Sequence, residues 1–143
     1  METLPAGTDS DRHIRALLTL AFGLAHDIAE LCLNLEASPE LQAHRFYGAQ
    51  IADSAVSALA HVACANASYT PQLHDRIDAS HSVGGAKDTL RTLDRLISLL
   101  LGHRYSGPEH TRAITDKQVQ AMAILTALEV ELLGANLPAR RAS

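Results

Sequence analysis

The amino-acid sequence predicts an all-α protein, an antiparallel up-down-up-down four-helix bundle, and three observations carry the expectation. Apolar residues recur at three- and four-residue spacing through four long stretches, the pattern of a helix with one buried stripe. Apolar residues make up 47% of the chain but aromatics only 3%, so Leu and Ala do the packing, which suits helices better than sheets. Helix start signals fall between the stretches: Ser38-Pro39, Thr70-Pro71 and the capping box Thr115-x-x-Gln118. At 143 residues the chain holds one domain with a real core.

Residues 1–10 read as a flexible lead-in that ends in three candidate caps, Thr8, Asp9 and Ser10. The bundle is expected over residues 11–137, with a basic tail over 138–143 that carries Arg140 and Arg141. Its first helix follows from a periodic apolar run that begins at Ile14 and ends at Leu35. A second is expected over about residues 43–66. Its start is ambiguous: Ser38-Pro39 opens a helix, Gly48 interrupts one, and residues 39–46 read equally as a short turn.

This second helix has the character of an inner one. Ile51, Ala55, Ala58 and Val62 line one face, and Ala52, Val56, Leu59 and Ala63 line the face beside it. Small residues on two adjacent faces let two neighbours approach closely. The third helix runs from Pro71 to Leu101, with a stripe of Val83, Ala86, Leu90, Leu93, Ile97 and Leu100. Gly84-Gly85 in its middle predicts a kink or a close crossing. Residues 102–113 read as an irregular connection. The last helix follows the Thr115 cap, carries Val119, Met122, Leu125, Leu128 and Leu132, and stops at Gly134 with Pro138 beyond. It is apolar nearly all round over residues 121–128, more than one bundle can hide, so self-association is expected. Tyr47 and Phe46 are expected in the core, and His26 and Glu30 as a surface pair.

Residues 96–101, the most apolar run, are far too short to cross a bilayer, and the N-terminal segment lacks the basic start and apolar stretch of a secretory signal. Two cysteines, Cys32 and Cys64, make no disulfide framework, so the expectation is a reduced, cytoplasmic protein without a membrane partner. The formal charge is -4, from twelve Lys and Arg against sixteen Asp and Glu, which does not advertise a nucleic-acid binder. Eight histidines titrate near pH ~6.5 when unperturbed, so mild acid would reverse the sign of the protein's charge.

Three segments resemble a known family in order along the chain. The first is Tyr47-Gly48-x-Gln50-Ile51 followed by Ser54, Ala55, Val56 and Ser57, with Ala60 and Ala63 beyond. Next comes Val83-Gly84-Gly85 leading into Leu90 and Leu93, and then Thr115-Asp116-Lys117-Gln118-Val119. They are similar to segments of the small four-helix bundle proteins encoded in large-subunit rRNA intervening sequences. That family includes the accessory variability determinant proteins of diversity-generating retroelements. The resemblance spans most of residues 20–134. It implies a ring-like pentamer and, for the retroelement branch, binding of a reverse transcriptase and its RNA through basic surfaces. Ala52-Asp53 stands here where the family places a basic pair, and the chain is acidic where the retroelement proteins are basic. The fold therefore carries over further than RNA binding does.

Chemistry-bearing patterns are few. Lys87, Arg91 and Arg95 recur at four-residue spacing as a basic stripe, and Arg104, Arg112 and Lys117 extend it as candidate phosphate contacts. The competing reading is a solvated face on which Asp88 and Asp94 pair with Arg91. His74, Asp78 and His81 share a helix face and form a weak metal candidate; the bland reading is three exposed polar residues. Arg76 and His81 form an R-x4-H spacing, and Arg104 and His110 an R-x5-H spacing. Both resemble the motif of the small all-helical, metal-independent ribonucleases of toxin–antitoxin type, in which an Arg stabilises phosphate beside an acid–base His. Ile77 follows Arg76 here where that family prefers a polar residue. Nucleophile triads, phosphate-cradling glycine loops and zinc motifs are absent from the sequence, and no cofactor is expected. The function expected is thus a non-catalytic oligomeric scaffold for a protein or nucleic-acid partner, with the ribonuclease as the alternative.

Overall fold

The computed structural model describes residues 7–134. Every element in that range is helical: α1 (Asp9–Glu36), α2 (Pro39–Gln42), α3 (Arg45–Ser68), α4 (Leu73–Gly102) and α5 (Pro108–Gly134). No strand occurs among the described residues. α1 and α4 each pack on both α3 and α5, so α1 and α4 lie diagonally opposite across the core, as do α3 and α5. The four long helices therefore enclose one core. The short α2 lies against α3 and the end of α1. The basic tail at 138–143 and most of the lead-in fall outside the described residues.

Thr8 is the cap of α1: its Oγ1 accepts from the Asp11 amide at 3.1 Å. The expected stripe of α1 is buried from Ile14 to Leu35, with Leu24 and Leu31 half-buried at its margin. α1 is also long and apolar enough, by length and composition alone, to cross a membrane. Here its apolar stripe is the core's own. Ser38-Pro39 opens a helix of a single turn, α2, and the chain restarts at Arg45, running through Gly48 without a break. This makes five helices where the sequence predicts four.

The α3–α4 contact is built from small side chains. Ile51, Ala55, Ala58, Val62 and Ala65 are buried on α3, and Ala79, Val83 and Ala86 on α4. Of the second face expected on α3, Ala52 is buried and Val56 exposed. α4 continues through Gly84-Gly85, and the pair marks a close crossing. A Cβ at Gly85 would lie 2.8 Å from the His61 ring of α3, whereas one at Gly84 would find its nearest neighbour, Glu129 of α5, at 3.7 Å.

Two expectations fail. α5 starts at Pro108, two turns before Thr115, because Pro at the first helical position followed by Glu109 is the stronger start signal. The capping box is therefore not formed: Thr115 is inside the helix, with its hydroxyl on the Thr111 carbonyl at 3.1 Å. The register turns accordingly. Ile114, Gln118, Ala121, Leu125, Leu128 and Leu132 face inward, and Val119 is 68% exposed. The second failure is Phe46, which is 72% exposed and lies outside the core, because in the first turn of α3 it falls on the side away from buried Gly48 and Ile51. Tyr47 is half-buried against the core as expected. His26 and Glu30 are both exposed, but the carboxylate beside His26 is Asp27, at 3.9 Å.

A buried polar network closes one end of the bundle. The Tyr69 hydroxyl, at the end of α3, donates to Asp11 of α1 at 2.7 Å, and Arg15 Nε lies 3.2 Å from both Asp11 oxygens. The Arg15 guanidinium also sits 5.1 Å from the centre of the Tyr69 ring. Burial alone raises a carboxyl pKa. The bonds from Tyr69, the Gly7 amide and Arg15 outweigh it and hold Asp11 below its ordinary 3.8. Burial and the neighbouring Asp11 carboxylate push the Tyr69 phenol up.

Two measurements check this account. Tyr69→Phe is expected to lower unfolding free energy by about 1–3 kcal/mol, since a buried carboxylate loses a donor. Because the Asp11 pKa is depressed on folding, its contribution is complete above pH ~3.9 and is lost as pH falls through the folded value. The variant should therefore lose less stability than the wild type in that acid range. In the second, Gly84→Ala is expected to stabilise by about 0.5–1 kcal/mol through helix propensity. Gly85→Ala should instead destabilise by about 1–3 kcal/mol through the clash with His61. The loss should disappear in Gly85→Ala/His61→Ala, measured against His61→Ala.

Candidate binding groove between α4 and α5

The six basic residues singled out from the sequence do not form one surface. Lys87 turns inward: Nζ lies 2.5 Å from Glu129 Oε1 of α5, and the Lys87 side chain is mostly buried. Lys117 faces α1, where its Nζ meets Asp27 at 3.2 Å. Arg104 is exposed in the turn after α4, at a left-handed φ of 58°, and Arg112 is exposed in the first turns of α5. Arg91 and Arg95 remain together on the outer face of α4. Arg91 pairs with Asp88 at 2.8 Å, as expected, while Asp94 and Arg95 make no ion pair among the described residues. The stripe fails at Lys87 because α5 crosses there and presents a carboxylate.

Arg91 and Arg95 border a groove of about 510 Å³ between α4 and α5. Leu90, Val119 and Met122 supply its apolar wall, and Asp94, Thr115 and Gln118 its remaining polar groups. Gln118 was expected to cap a helix end. It is instead 4% exposed, and its Nε2 donates 3.1 Å to the Leu90 carbonyl across the helix pair. Its Oε1 is buried and has no hydrogen-bond partner among the described residues. No motif points to this group; only the phase of Ile114, Ala121 and Leu125 places residue 118 inside.

The ribonuclease pair does not converge. Residues five apart on a helix are turned by roughly 140°, and Arg76 is 1% exposed while His81 is exposed. Arg76 Nε donates to the Pro71 carbonyl at 3.2 Å, a structural role at the start of α4. Arg104 lies in a turn, and its motif partner His110 sits 3.5 Å from Glu40 and Glu109. The metal trio also changes. His74 and Asp78 lie 3.5 Å apart, but the third group gathered with them is Asp75 and not His81. The Asp75 carboxylate already accepts from the Thr70 hydroxyl at 2.5 Å, and His74 and Asp78 are exposed, as on any solvated helix face.

One further cluster was not legible in sequence. The Tyr105 ring stacks on His44 with centroids 3.7 Å apart, and on His103 at 5.3 Å. Tyr47 leans on it from α3 at 5.6 Å. Of the two cysteines, Cys32 is buried, which pushes its thiol up to about 12, and Cys64 is exposed. Comparison with protein-family models, curated proteins and solved structures gives no match.

Because Lys87 is tied to Glu129, Lys87→Ala should lower unfolding free energy by about 1–2 kcal/mol, between the values for exposed and buried pairs. Arg95→Ala should stay within about 0.5 kcal/mol of wild type. Chemical denaturation of both variants decides whether Lys87 belongs to the fold or to the surface.

Proposed function

We propose that this chain is a non-catalytic, self-associating helical scaffold whose surfaces hold a protein or nucleic-acid partner. The carrying observation is apolar surface left outside a complete core. Leu20 (54% exposed) and Leu24 of α1 meet Ala123 and Ile124 of α5 in a shallow outer groove of about 330 Å³. Val130, 62% exposed, adds to the apolar surface of α5. Such residues are ordinary singly; grouped along one helix pair they favour an interface. Ion pairs His13–Glu131 and Asp27–Lys117 join the same two helices, at 3.8 and 3.2 Å. Their crosswise order supports an antiparallel, up-down-up-down bundle.

The resemblance to the intervening-sequence proteins favours a ring of five, a cytoplasmic location, and a reverse transcriptase with its RNA as the partners. Of the six basic residues singled out from the sequence, Arg91, Arg95, Arg104 and Arg112 are the exposed ones left for phosphate. With so few, RNA contacts would be weak singly and would gain by repetition around a ring. The separation of Arg76 from His81 supports a binding role over cleavage.

Light scattering tests the scaffold reading. The wild type is expected to exceed a monomer's mass at tens of micromolar, a working range for moderate interfaces (~8 kcal/mol corresponds to ~1 μM). Leu20→Glu/Ile124→Glu should be monomeric with unchanged helical circular dichroism. A monomeric wild type would overturn self-association, and an assembled double variant would move the interface elsewhere.

A further inference from the structure

The α4–α5 groove carries an arrangement beyond the phosphate contacts that the scaffold reading gives to Arg91 and Arg95. Its volume, about 510 Å³, lies within the ~300–1,000 Å³ typical of small-molecule sites. Three polar groups along it lack a compensating charge or bond. Arg95 offers a guanidinium and Asp94 a carboxylate, neither in an ion pair among the described residues, whereas neighbouring Arg91 is engaged by Asp88. Gln118 offers Oε1, an acceptor without a donor in a side chain that is 96% buried by its 4% exposure. Its amide orientation is fixed by the Nε2 bond to the Leu90 carbonyl, so the carbonyl oxygen is the free end. Leu90, Val119 and Met122 give the groove its apolar lining, with the Thr115 hydroxyl as a further polar group.

We infer that this groove binds a small apolar zwitterion, an α-amino acid with a branched or aromatic side chain. Each part of such a ligand answers one observation. The carboxylate pairs with the Arg95 fork. The ammonium supplies donors to Asp94 and to Gln118 Oε1, which removes the cost of an unsatisfied buried acceptor. The side chain covers Leu90 and Val119. Met122 sits one turn beyond Gln118 on the same helix face and is the most adaptable lining residue, so it yields to expose Oε1. A simple carboxylic acid would leave Asp94 and Gln118 unanswered, and a simple amine would leave Arg95 so.

The test is a titration of the full chain by NMR, following the Gln118 side-chain amide and the Met122 methyl. The ligands are leucine, phenylalanine, N-acetyl-leucine and 3-methylbutylamine. Leucine or phenylalanine is expected to shift both signals saturably. N-acetyl-leucine lacks the ammonium and 3-methylbutylamine the carboxylate, so each should bind about tenfold more weakly or worse, as loss of a charge-assisted bond implies. Arg95→Met, at an exposed position that leaves the core intact, should weaken leucine about tenfold as well. Gln118→Met keeps the side chain's length and should abolish the preference for leucine over N-acetyl-leucine. The inference is overturned if neither amino acid gives a saturable shift, if either control binds as well as leucine, or if Arg95→Met leaves the affinity unchanged. The readout is indifferent to oligomeric state, so failure of self-association and failure of this site are separate outcomes.

Discussion

The structure depends on how closely α4 approaches α3. The buried side chains of α3 and of the first half of α4 are mostly Ala and Val, and Gly85 has none, which leaves room for the His61 ring of α3. Interaxial distance follows the size of the residues at the contact, so this face draws the two helices together and fixes their separation. The same stripe of α4 continues towards its C-terminus with larger residues. Leu90, Leu93, Ile97 and Leu100 then project into the middle of the bundle, where α1 and α5 contribute Ile14, Ile28, Leu125 and Leu128. Small residues early in this stripe and large ones later are two parts of one packing solution, and interiors at crystal-like density tolerate few alternatives.

Apolar packing of this kind leaves rotation and register weakly specified, and polar groups supply the rest. Asp11 with Tyr69 ties the start of α1 to the end of α3. Lys87 with Glu129 ties α4 to α5 half-way along, and Gln118 with the Leu90 carbonyl does so again further on. Each is a group that would be costly inside the bundle without its partner. Rotating α5 by one residue would bring Val119 inside and strand Glu129 and Gln118 together. The register adopted leaves Val119 in water and buries a glutamine, which runs against hydrophobicity alone. Two directed interactions and the run from Leu125 to Leu132 outweigh one valine.

That competition explains what was legible in the sequence. On α1 and α4 the apolar stripe had no polar rival, and the expected residues, Ile14 to Leu35 and Val83 to Leu100, are the buried ones. On α3 the leading face of Ile51, Ala55, Ala58 and Val62 was equally plain, while Val56 on the second face lies outside. α5 misled twice for a single reason. Thr115 and Gln118 match a capping box, and that local match concealed a helix already two turns long at Thr115. The basic stripe misled because spacing reports which residues share a face but not what the neighbouring helix brings to it. Glu129, which takes Lys87 out of the surface, is 42 residues away in sequence. The groove was invisible for the same reason, since its two walls belong to different helices and its distinctive group is a glutamine expected elsewhere.

The distribution of polar chemistry has a common logic. Two groups with catalytic potential in other settings are sealed here. Arg76 is buried on a backbone carbonyl, and the Cys32 thiol lies in the core with its pKa raised to about 12. Both reinforce the bundle, and neither presents a reactive atom to water. The histidines show the opposite tendency. Four of them, His13, His26, His74 and His110, lie within 4.0 Å of a carboxylate at the surface. α4 serves both inside and outside, closing the core with one face and bordering the groove with the other.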